Sequence, residues 1–202
     1  MSTSITDPNV DRLLEFWFDP QYPMTRWFVK DDTLDHRIKT NFGNLVAKAR
    51  TTELDTWCKD PKGTLALIVL LDQFSRNIYR GTSDSFAADE KAREVAITGI
   101  AKGFDRRVSL IQQMFLYLPL MHHESILGQI ASKALFEGLV NRCDLGTQEH
   151  EQAKVASASA QAHVDVILKF GRFPARNKAI GRTSTAEEVA FLDEYPAGLK
   201  PI

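Results

Sequence analysis

The feature that most constrains this chain is the stretch 64–81, where a wholly apolar run passes directly into a polar one. Residues 65–71 are apolar on every side, so a helix formed by them must be buried. The polar positions that follow fall within about 100° of helix surface, and they are Gln73, Arg76, Asn77 and Arg80, with Asp72 next to Arg76 at i,i+4 spacing. Thr64 and Gly81 are placed to cap and end this helix. The stretch therefore predicts a central helix that ends in a cluster of polar side chains.

Helix signals recur along the rest of the chain. Capping residues and apolar periodicity predict further helices at about 8–18, 31–51, 83–103, 109–140, 148–170 and 184–193. Capping-box spacing occurs at Ser109 and at Ser184 or Thr185, and Gly171 ends the long helix before the last. Pro119 predicts a kink or the start of a new helix within 109–140. Between the first two, Pro20 and Pro23 predict an extended segment. No run alternates with period two, and no hairpin turn dipeptide occurs. We therefore expect an all-α protein, a single domain over 1–202 built as a bundle or superhelix of antiparallel helix pairs, with a loose tail at 195–202.

Charge and composition exclude several classes of function. The formal net charge is −1, so no overall positive field would attract a nucleic acid or an anionic membrane. The longest apolar run is too short to span a bilayer, and the first residues do not resemble a signal peptide. Cys58 and Cys143 have no metal-type spacing and form no disulfide framework, so we interpret them as reduced thiols. We expect a cytoplasmic protein that binds neither nucleic acid nor membrane.

The polar end of the central helix is the first candidate site. Arg76 and Arg80 offer planar guanidinium groups that can hold a carboxylate or a phosphate, with Asn77 beside them. Asp72 could orient Arg76 or act as a base. The alternative is a structural clamp, because ion pairs that tie a helix to its neighbours produce the same pattern.

The second candidate is the sequence Met121-His122-His123-Glu124, just after Pro119. Adjacent helical histidines point about 100° apart, so one of them at most faces a given pocket. A histidine beside a carboxylate suits proton transfer near neutral pH. The alternative is one buried and one exposed histidine without a chemical role. No His or Glu spacing places two metal ligands on one helix face, and the usual cofactor motifs are absent, so we expect no metal and no cofactor.

The third candidate is a basic segment, 169–185, which contains five cations and no acidic residue. Arg172, Arg176 and Asn177 lie within it, and it runs into a helix N-terminus, where backbone N–H groups favour anions. The alternative is a solvated basic loop before a helix whose start is filled by Glu187 and Glu188. His163, one helix earlier, shares a face with apolar residues and is interpreted as a core histidine.

Several motifs together resemble the family called domain of unknown function 924. They are LLDQFSRNIYRG at 70–81, GFD at 103–105, FLYLPLMHHE at 115–124, FGRFPARN at 170–177 and GRTST at 181–185. The resemblance implies an all-α fold similar to tetratricopeptide-repeat superhelices and no established activity. The chain departs from the family pattern at Ser75, His123 and Ala175, where the family usually has proline, serine and histidine.

Two functions remain open from the sequence, and the substrate, the reaction and the oligomeric state stay undetermined. The first is a pocket that binds a small anionic molecule and performs acid–base chemistry. Its catalytic candidates are His122, Glu124 and Asp72, and its binding candidates are Arg76, Asn77, Arg80, Arg172, Arg176 and Asn177. The second is a module that binds a protein or peptide partner in a groove between stacked helices.

Overall fold

The computed structural model describes residues 7–199, and every regular element among them is helical, with no β-strand. The all-α class predicted from the sequence is confirmed. The chain forms two compact units. Unit 1 comprises the residues up to Arg80 together with Asp84–Val108, and unit 2 comprises Gly81–Ser83 and the residues from Ser109 onward. The tetratricopeptide-like arrangement of helix pairs stays a prediction.

The described residues of unit 1, from residue 7 onward, contain five α-helices, joined by short 3₁₀ turns except between α3 and α4. They are α1 (Pro8–Trp17), α2 (Asp32–Arg50), α3 (Pro61–Ile68), α4 (Ser75–Ile78) and α5 (Asp89–Ala101). The segment predicted to be extended before α2 contains a 3₁₀ turn, Met24–Trp27. The helix predicted from about 83 begins at Asp89, since Ser83–Ser85 forms a 3₁₀ turn first. Two acidic residues in the first turn of α5 favour its N-terminus there.

Side-chain caps set where α2 and the central helix begin. Asp31 accepts hydrogen bonds from the backbone N–H groups of Thr33 and Leu34, as its position predicts. The central helix begins at Pro61, not at Thr64, because Asp60 is its N-cap and accepts from the N–H of Gly63 at 3.0 Å. The Thr64 hydroxyl instead donates to the Asp60 carbonyl at 2.8 Å. The sequence prediction of the cap was therefore wrong by one helical turn.

The central helix changes its winding in the middle. Between α3 and α4, Val69–Phe74 forms a π-helical segment that is buried along its whole length. The helix ends at Ile78, and Gly81 follows with a φ of +80° that favours glycine. Phe74 packs against Trp17 and Phe42, with ring centroids 5.2 Å away in both pairs. The π segment thus lies in the core of unit 1.

Up to residue 199, unit 2 contains four α-helices. They are α6 (Leu110–Met121), α7 (Ile126–Val140), α8 (Gln148–Phe170) and α9 (Ala186–Glu194). The predicted capping box of Ser109 and Gln112 is present at the start of α6. The one formed by Thr185 and Glu188 is present at the start of α9. Gly171 ends α8 in the left-handed conformation, at a φ of +68°.

A break separates α6 from α7, close to Pro119, where the sequence predicted a kink or a new helix start. Pro119 lies inside the last turn of α6, and the helix ends at Met121. The buried Gln129 side chain donates to the carbonyls of Met121 and His123, at 2.7 Å each. These bonds satisfy carbonyl groups that a helix end leaves without partners, so a side chain of α7 stabilises the end of α6.

The core of unit 2 extends from α6 to α9. Tyr117 of α6 meets Phe136 of α7 edge-to-face, with centroids 5.7 Å apart. At the other end, a cluster is formed by Val166, Ile167, Phe173 and Phe191. In the tail predicted to be loose, Tyr195 and Leu199 pack against this cluster, and residues 200–202 lie outside the described residues. Within 7–199, no helix has both the length and the apolar character needed to cross a bilayer.

Candidate functional site

The polar cluster of unit 1 lies on the π segment and the turn after it. Asp72 and Gln73 belong to the π segment, and both are buried. The backbone N–H of Ser75 bonds to the Leu70 carbonyl, five residues back, as π winding requires. Segments of this kind are rare and are found frequently at functional sites. The winding places the Asp72 carboxylate, which is only 1% exposed, within the core.

Arg76 neutralises this buried carboxylate. Its Nη1 lies 2.9 Å from Asp72 Oδ1, and its Nη2 lies 3.0 Å from Asp89 Oδ2. Gln73 Nε2 donates to the other oxygen of Asp72 at 2.5 Å. Burial opposes the charge on Arg76, but the two carboxylates outweigh it and raise the pKa of the guanidinium. The predicted i,i+4 contact is present, and it belongs to an ion network that also includes α5.

Asn77 and Arg80 contact a carboxylate on α2. Arg80 donates to both oxygens of Asp35, from Nε at 2.8 Å and from Nη2 at 3.0 Å. Asn77 Nδ2 donates to Asp35 Oδ1 at 2.7 Å. The hydrogen bonds that Arg80 donates to Asp35 raise the pKa of the Arg80 guanidinium, against the effect of burial. In unit 1, internal carboxylates therefore occupy the positions on both arginines where a bound anion would lie.

In unit 2, Glu124 holds the loop that follows α8. Arg182 donates to Glu124 from Nη1 at 2.6 Å and from Nη2 at 2.8 Å, and the Phe173 backbone N–H donates at 2.7 Å. Burial raises the pKa of the Glu124 carboxyl, but these hydrogen bonds outweigh it and lower the pKa overall. Glu124 is therefore an ion-paired carboxylate at neutral pH, with its oxygens engaged by the loop.

A second carboxylate anchors the far end of the same loop. Glu188 accepts from Arg172 Nε at 2.6 Å and Nη2 at 2.8 Å, and from Asn177 Nδ2 at 3.2 Å. The Thr185 backbone N–H donates at 2.8 Å and completes the capping box. The hydrogen bonds from Arg172 lower the pKa of Glu188 to about 2, although burial opposes them. The sequence indicated Glu188 as an occupant of the helix start but not as the partner of Arg172.

The third group in unit 2 is built around the Phe173 ring, and we call it the imidazole cluster: His122, His163, Phe173 and Arg176. The guanidinium carbon of Arg176 lies 4.9 Å from the Phe173 ring centroid, and its Nη2 donates to the His122 carbonyl at 2.7 Å. The His163 ring meets Phe173 edge-to-face at 5.5 Å, and the His122 and His163 centroids lie 6.2 Å apart. His122, His163 and Arg176 are all half-buried.

The structure divides the nine predicted site residues between the two units. Those of unit 1, in the ion network just described, are Asp72, Arg76, Asn77 and Arg80. Those of unit 2, brought together on the 171–185 loop and the end of α6, are His122, Glu124, Arg172, Arg176 and Asn177. His163 was interpreted as a core histidine because it shares a helix face with apolar residues, and no sequence spacing links α8 to residue 122.

Two further observations bear on the chemistry of the described part of the chain. Within residues 7–199, no group of three or more His, Cys, Asp or Glu side chains is arranged to hold a metal ion. The His163 Nδ1 lies 2.8 Å from the Ser159 carbonyl, which can only accept a hydrogen bond. This contact places the proton of a neutral His163 on Nδ1 and the lone pair on Nε2.

Comparisons with known proteins agree with the family resemblance that the sequence motifs indicated. Residues 13–195 match the family model described as bacterial protein of unknown function, DUF924. The chain is similar to the solved structure of a protein of unknown function from Agrobacterium tumefaciens, with 34% identity and a TM-score of 0.77. The match covers 92% of this chain and 97% of the other. No curated protein matches.

Proposed function

The chain belongs to the DUF924 family of bacterial proteins of unknown function, and we propose that it binds a small anionic molecule at the imidazole cluster. The observation that carries the proposal is the convergence of the His163 imidazole and the Arg176 guanidinium on the ring of Phe173, with the His122 imidazole next to that of His163. Arginine and histidine are the side chains that combine charge-assisted binding of anions with proton transfer near neutral pH.

The orientation of Arg176 supports binding rather than simple solvation. Its side chain is fixed on one side by the bond to the His122 carbonyl and on the other by the Phe173 ring. A guanidinium held in one orientation loses less conformational entropy when it binds an anion than a mobile one does. We assign Arg176 the role of anchoring a carboxylate or phosphate group of the ligand.

The histidines supply the chemical part of the proposal. A neutral His163 that donates from Nδ1 to Ser159 carries its basic lone pair on Nε2. His122 lies beside it at a centroid distance of 6.2 Å, so one small ligand can contact both rings. We propose that His122 and His163 exchange protons with the bound molecule, a role that the sequence assigned to His122 and Glu124.

The surrounding carboxylates act as positioning residues in this proposal. Glu124 holds the Phe173 backbone N–H and Arg182, and so fixes the ring on which the cluster is built. The low pKa of Glu188 keeps its ion pair with Arg172 intact at neutral pH. The network of Asp72, Arg76, Asn77 and Arg80 has no part in the proposed site.

The free thiols of Cys58 and Cys143 fit a reducing cytoplasmic location.

Binding of inorganic phosphate and of citrate, measured by isothermal titration calorimetry, tests the proposal. Arg176→Gln removes the anchoring charge, and we expect it to weaken binding at least about tenfold, the value of one charge-assisted hydrogen bond. The matched control is Arg142→Gln, also in unit 2, where the arginine donates to Gln113 on the surface. Equal affinity of the wild type and Arg176→Gln, or no binding of either anion, would contradict the proposal.

A further inference from the structure

The C-terminal segment, residues 195–199, packs against the loop that carries the imidazole cluster. Gly198 is buried and lies directly against Ala175, the residue before Arg176. A Cβ added to Gly198 would lie 2.6 Å from the Ala175 Cβ, whereas carbon atoms in contact are about 3.5–4.0 Å apart. Even a methyl group at Gly198 would therefore have to displace the segment or the loop.

This close contact is separate from the backbone conformation of Gly198. Its φ is +77°, in the left-handed region that favours glycine. Gly146, in the same unit, has nearly the same φ of +79°, but a Cβ added there would meet nothing within 4 Å. The two glycines share the left-handed φ, and only Gly198 of the pair also lies against a neighbouring side chain.

Ala175 connects this contact to the imidazole cluster. It lies at the centre of the 3₁₀ turn Pro174–Arg176, which directly follows Phe173. The Arg176 backbone N–H donates to the Phe173 carbonyl at 3.1 Å, and this bond closes the turn around Ala175. A shift of Ala175 therefore moves the residues on both sides of it. These are the aromatic ring on which the cluster is built and the guanidinium that anchors the anion.

The same segment also packs against the apolar cluster that contains the Phe173 side chain. Tyr195 and Leu199 both lie against this cluster, and the Tyr195 ring centroid is 5.2 Å from that of Phe191. The Gly198 backbone N–H donates to the Tyr195 carbonyl at 2.7 Å, so a tight turn joins these contacts. The segment therefore supports the core below the site and, through Gly198, the turn that carries the anchor.

We propose that the C-terminal segment positions Arg176, and that the contact of Gly198 with Ala175 sets the affinity of the imidazole cluster for an anion. This inference rests on the function proposed above, because it concerns the same site. When the segment is displaced, the charge of Arg176 remains but its position relative to the histidines changes. Coupling between two equilibria is reciprocal, so an anion bound at Arg176 also holds the segment in place.

Isothermal titration calorimetry of the full chain with inorganic phosphate tests the inference. Gly198→Ala should raise the Kd about fivefold, less than Arg176→Gln does, because the anchoring charge is misplaced but not removed. The matched control is Gly146→Ala, which has the same unfavourable φ without the contact and should keep the wild-type Kd. Adding Ala175→Gly to Gly198→Ala removes the opposing methyl group and should restore the Kd to within about twofold of the wild type.

Amide hydrogen exchange at Gly198, measured by NMR, tests the reciprocal effect. Its N–H is bonded to the Tyr195 carbonyl, so its exchange rate reports on opening of the segment. Saturating phosphate should slow this exchange about fivefold in the wild type, the same factor by which the segment raises affinity. In Arg176→Gln, phosphate should leave the exchange unchanged. A contact that only stabilised the fold would not make the exchange depend on both phosphate and Arg176.

The inference is overturned if Gly198→Ala binds phosphate with the wild-type Kd while Arg176→Gln binds it more weakly, a result that leaves the proposed function intact. Equal weakening in Gly146→Ala, or no recovery when Ala175→Gly is added, overturns it as well. A wild type that binds no phosphate overturns the proposed function, and this inference with it. Circular dichroism of each variant confirms that the helices are retained.

Discussion

Glu188 joins three separate parts of unit 2. The structure therefore defines how much its charge contributes to the free energy of unfolding. The carboxylate accepts from Arg172, from Asn177 and from the Thr185 backbone, and the residue is 2% exposed. Folding lowers its pKa from 4.5 to about 2. A tenfold change in proton affinity corresponds to about 1.4 kcal/mol, so the ionised carboxylate stabilises the fold by up to roughly 3 kcal/mol.

Glu188→Gln keeps the shape of the side chain and removes the charge. Because Arg172 is 29% exposed and solvent screens its attraction, we expect a loss of about 2 kcal/mol at pH 7 rather than the full value. A carboxyl whose pKa is lowered by folding stabilises the protein fully above its pKa in the unfolded state. This stabilisation is lost as the pH falls toward the pKa of the folded state. The difference between wild type and variant should therefore shrink below pH 4.5 and be less than about 1 kcal/mol at pH 3.

Urea denaturation followed by circular dichroism measures this difference directly. Tryptophan fluorescence is the wrong signal, since Trp17, Trp27 and Trp57 all lie in unit 1. The matched control is Glu187→Gln, whose carboxylate is 67% exposed and pairs with a lysine on the surface. It should change stability by less than about 0.5 kcal/mol. The reasoning would be refuted if Glu188→Gln lost no more stability than Glu187→Gln at pH 7. It would also be refuted if the loss of stability in Glu188→Gln were the same at pH 3 as at pH 7.

Three further substitutions test other contacts by urea denaturation. Arg182→Gln should cost about 2 kcal/mol at pH 7, less than a fully buried pair because Arg182 and Glu124 are each about one-quarter exposed. Burial raises the pKa of Glu124, but the pairing with Arg182 outweighs burial and lowers it. The loss of stability in Arg182→Gln should therefore shrink as the pH falls through the acidic range. Asp72→Asn leaves the charge of Arg76 poorly compensated and should cost about 3 kcal/mol. Gly63→Ala places a Cβ 2.3 Å from a backbone carbonyl oxygen and should cost about 2 kcal/mol.

Two of these predictions have a matched comparison. Arg142→Gln, at an exposed arginine, should leave stability within about 0.5 kcal/mol of the wild type. Gly43→Ala, where an added Cβ meets nothing within 4 Å, should stabilise helix α2 by up to about 1 kcal/mol. A neutral effect of Gly63→Ala, or an Arg182→Gln loss that does not depend on pH, would contradict the contacts described. An Asp72→Asn variant as stable as the wild type would show that Arg76 does not depend on that carboxylate.

Local signals in the sequence predicted the helices well, because caps depend on residues close in the chain. The capping boxes at Ser109 and Thr185 and the stop at Gly171 were predicted and are confirmed. The π segment was not predicted, because an apolar run looks the same in either winding. A kink or a new helix start was predicted at Pro119, but the position of the break after Met121 depends on Gln129, whose capping role appears only when α7 folds back.

The site was harder to predict because its partners are far apart in sequence. The i,i+4 pair of Asp72 and Arg76 could be predicted from spacing and is present. The carboxylate that binds Arg80 lies 45 residues away, and the arginine that binds Glu124 lies 58 residues away. Helical periodicity relates residues three or four apart and carries no information on such pairs. The sequence therefore indicated which residues are polar at the helix ends, but not which of them neutralise one another.

The imidazole cluster is the central claim, and NMR of the histidine ring protons tests it most directly. Signals from His122 and His163 should shift on addition of inorganic phosphate, and those from His36 and His150 should stay in place. In Arg176→Gln the shifts should disappear, because the anchoring charge is lost. Equal shifts at all the histidines, or shifts at His122 and His163 that survive in Arg176→Gln, would contradict the proposed site.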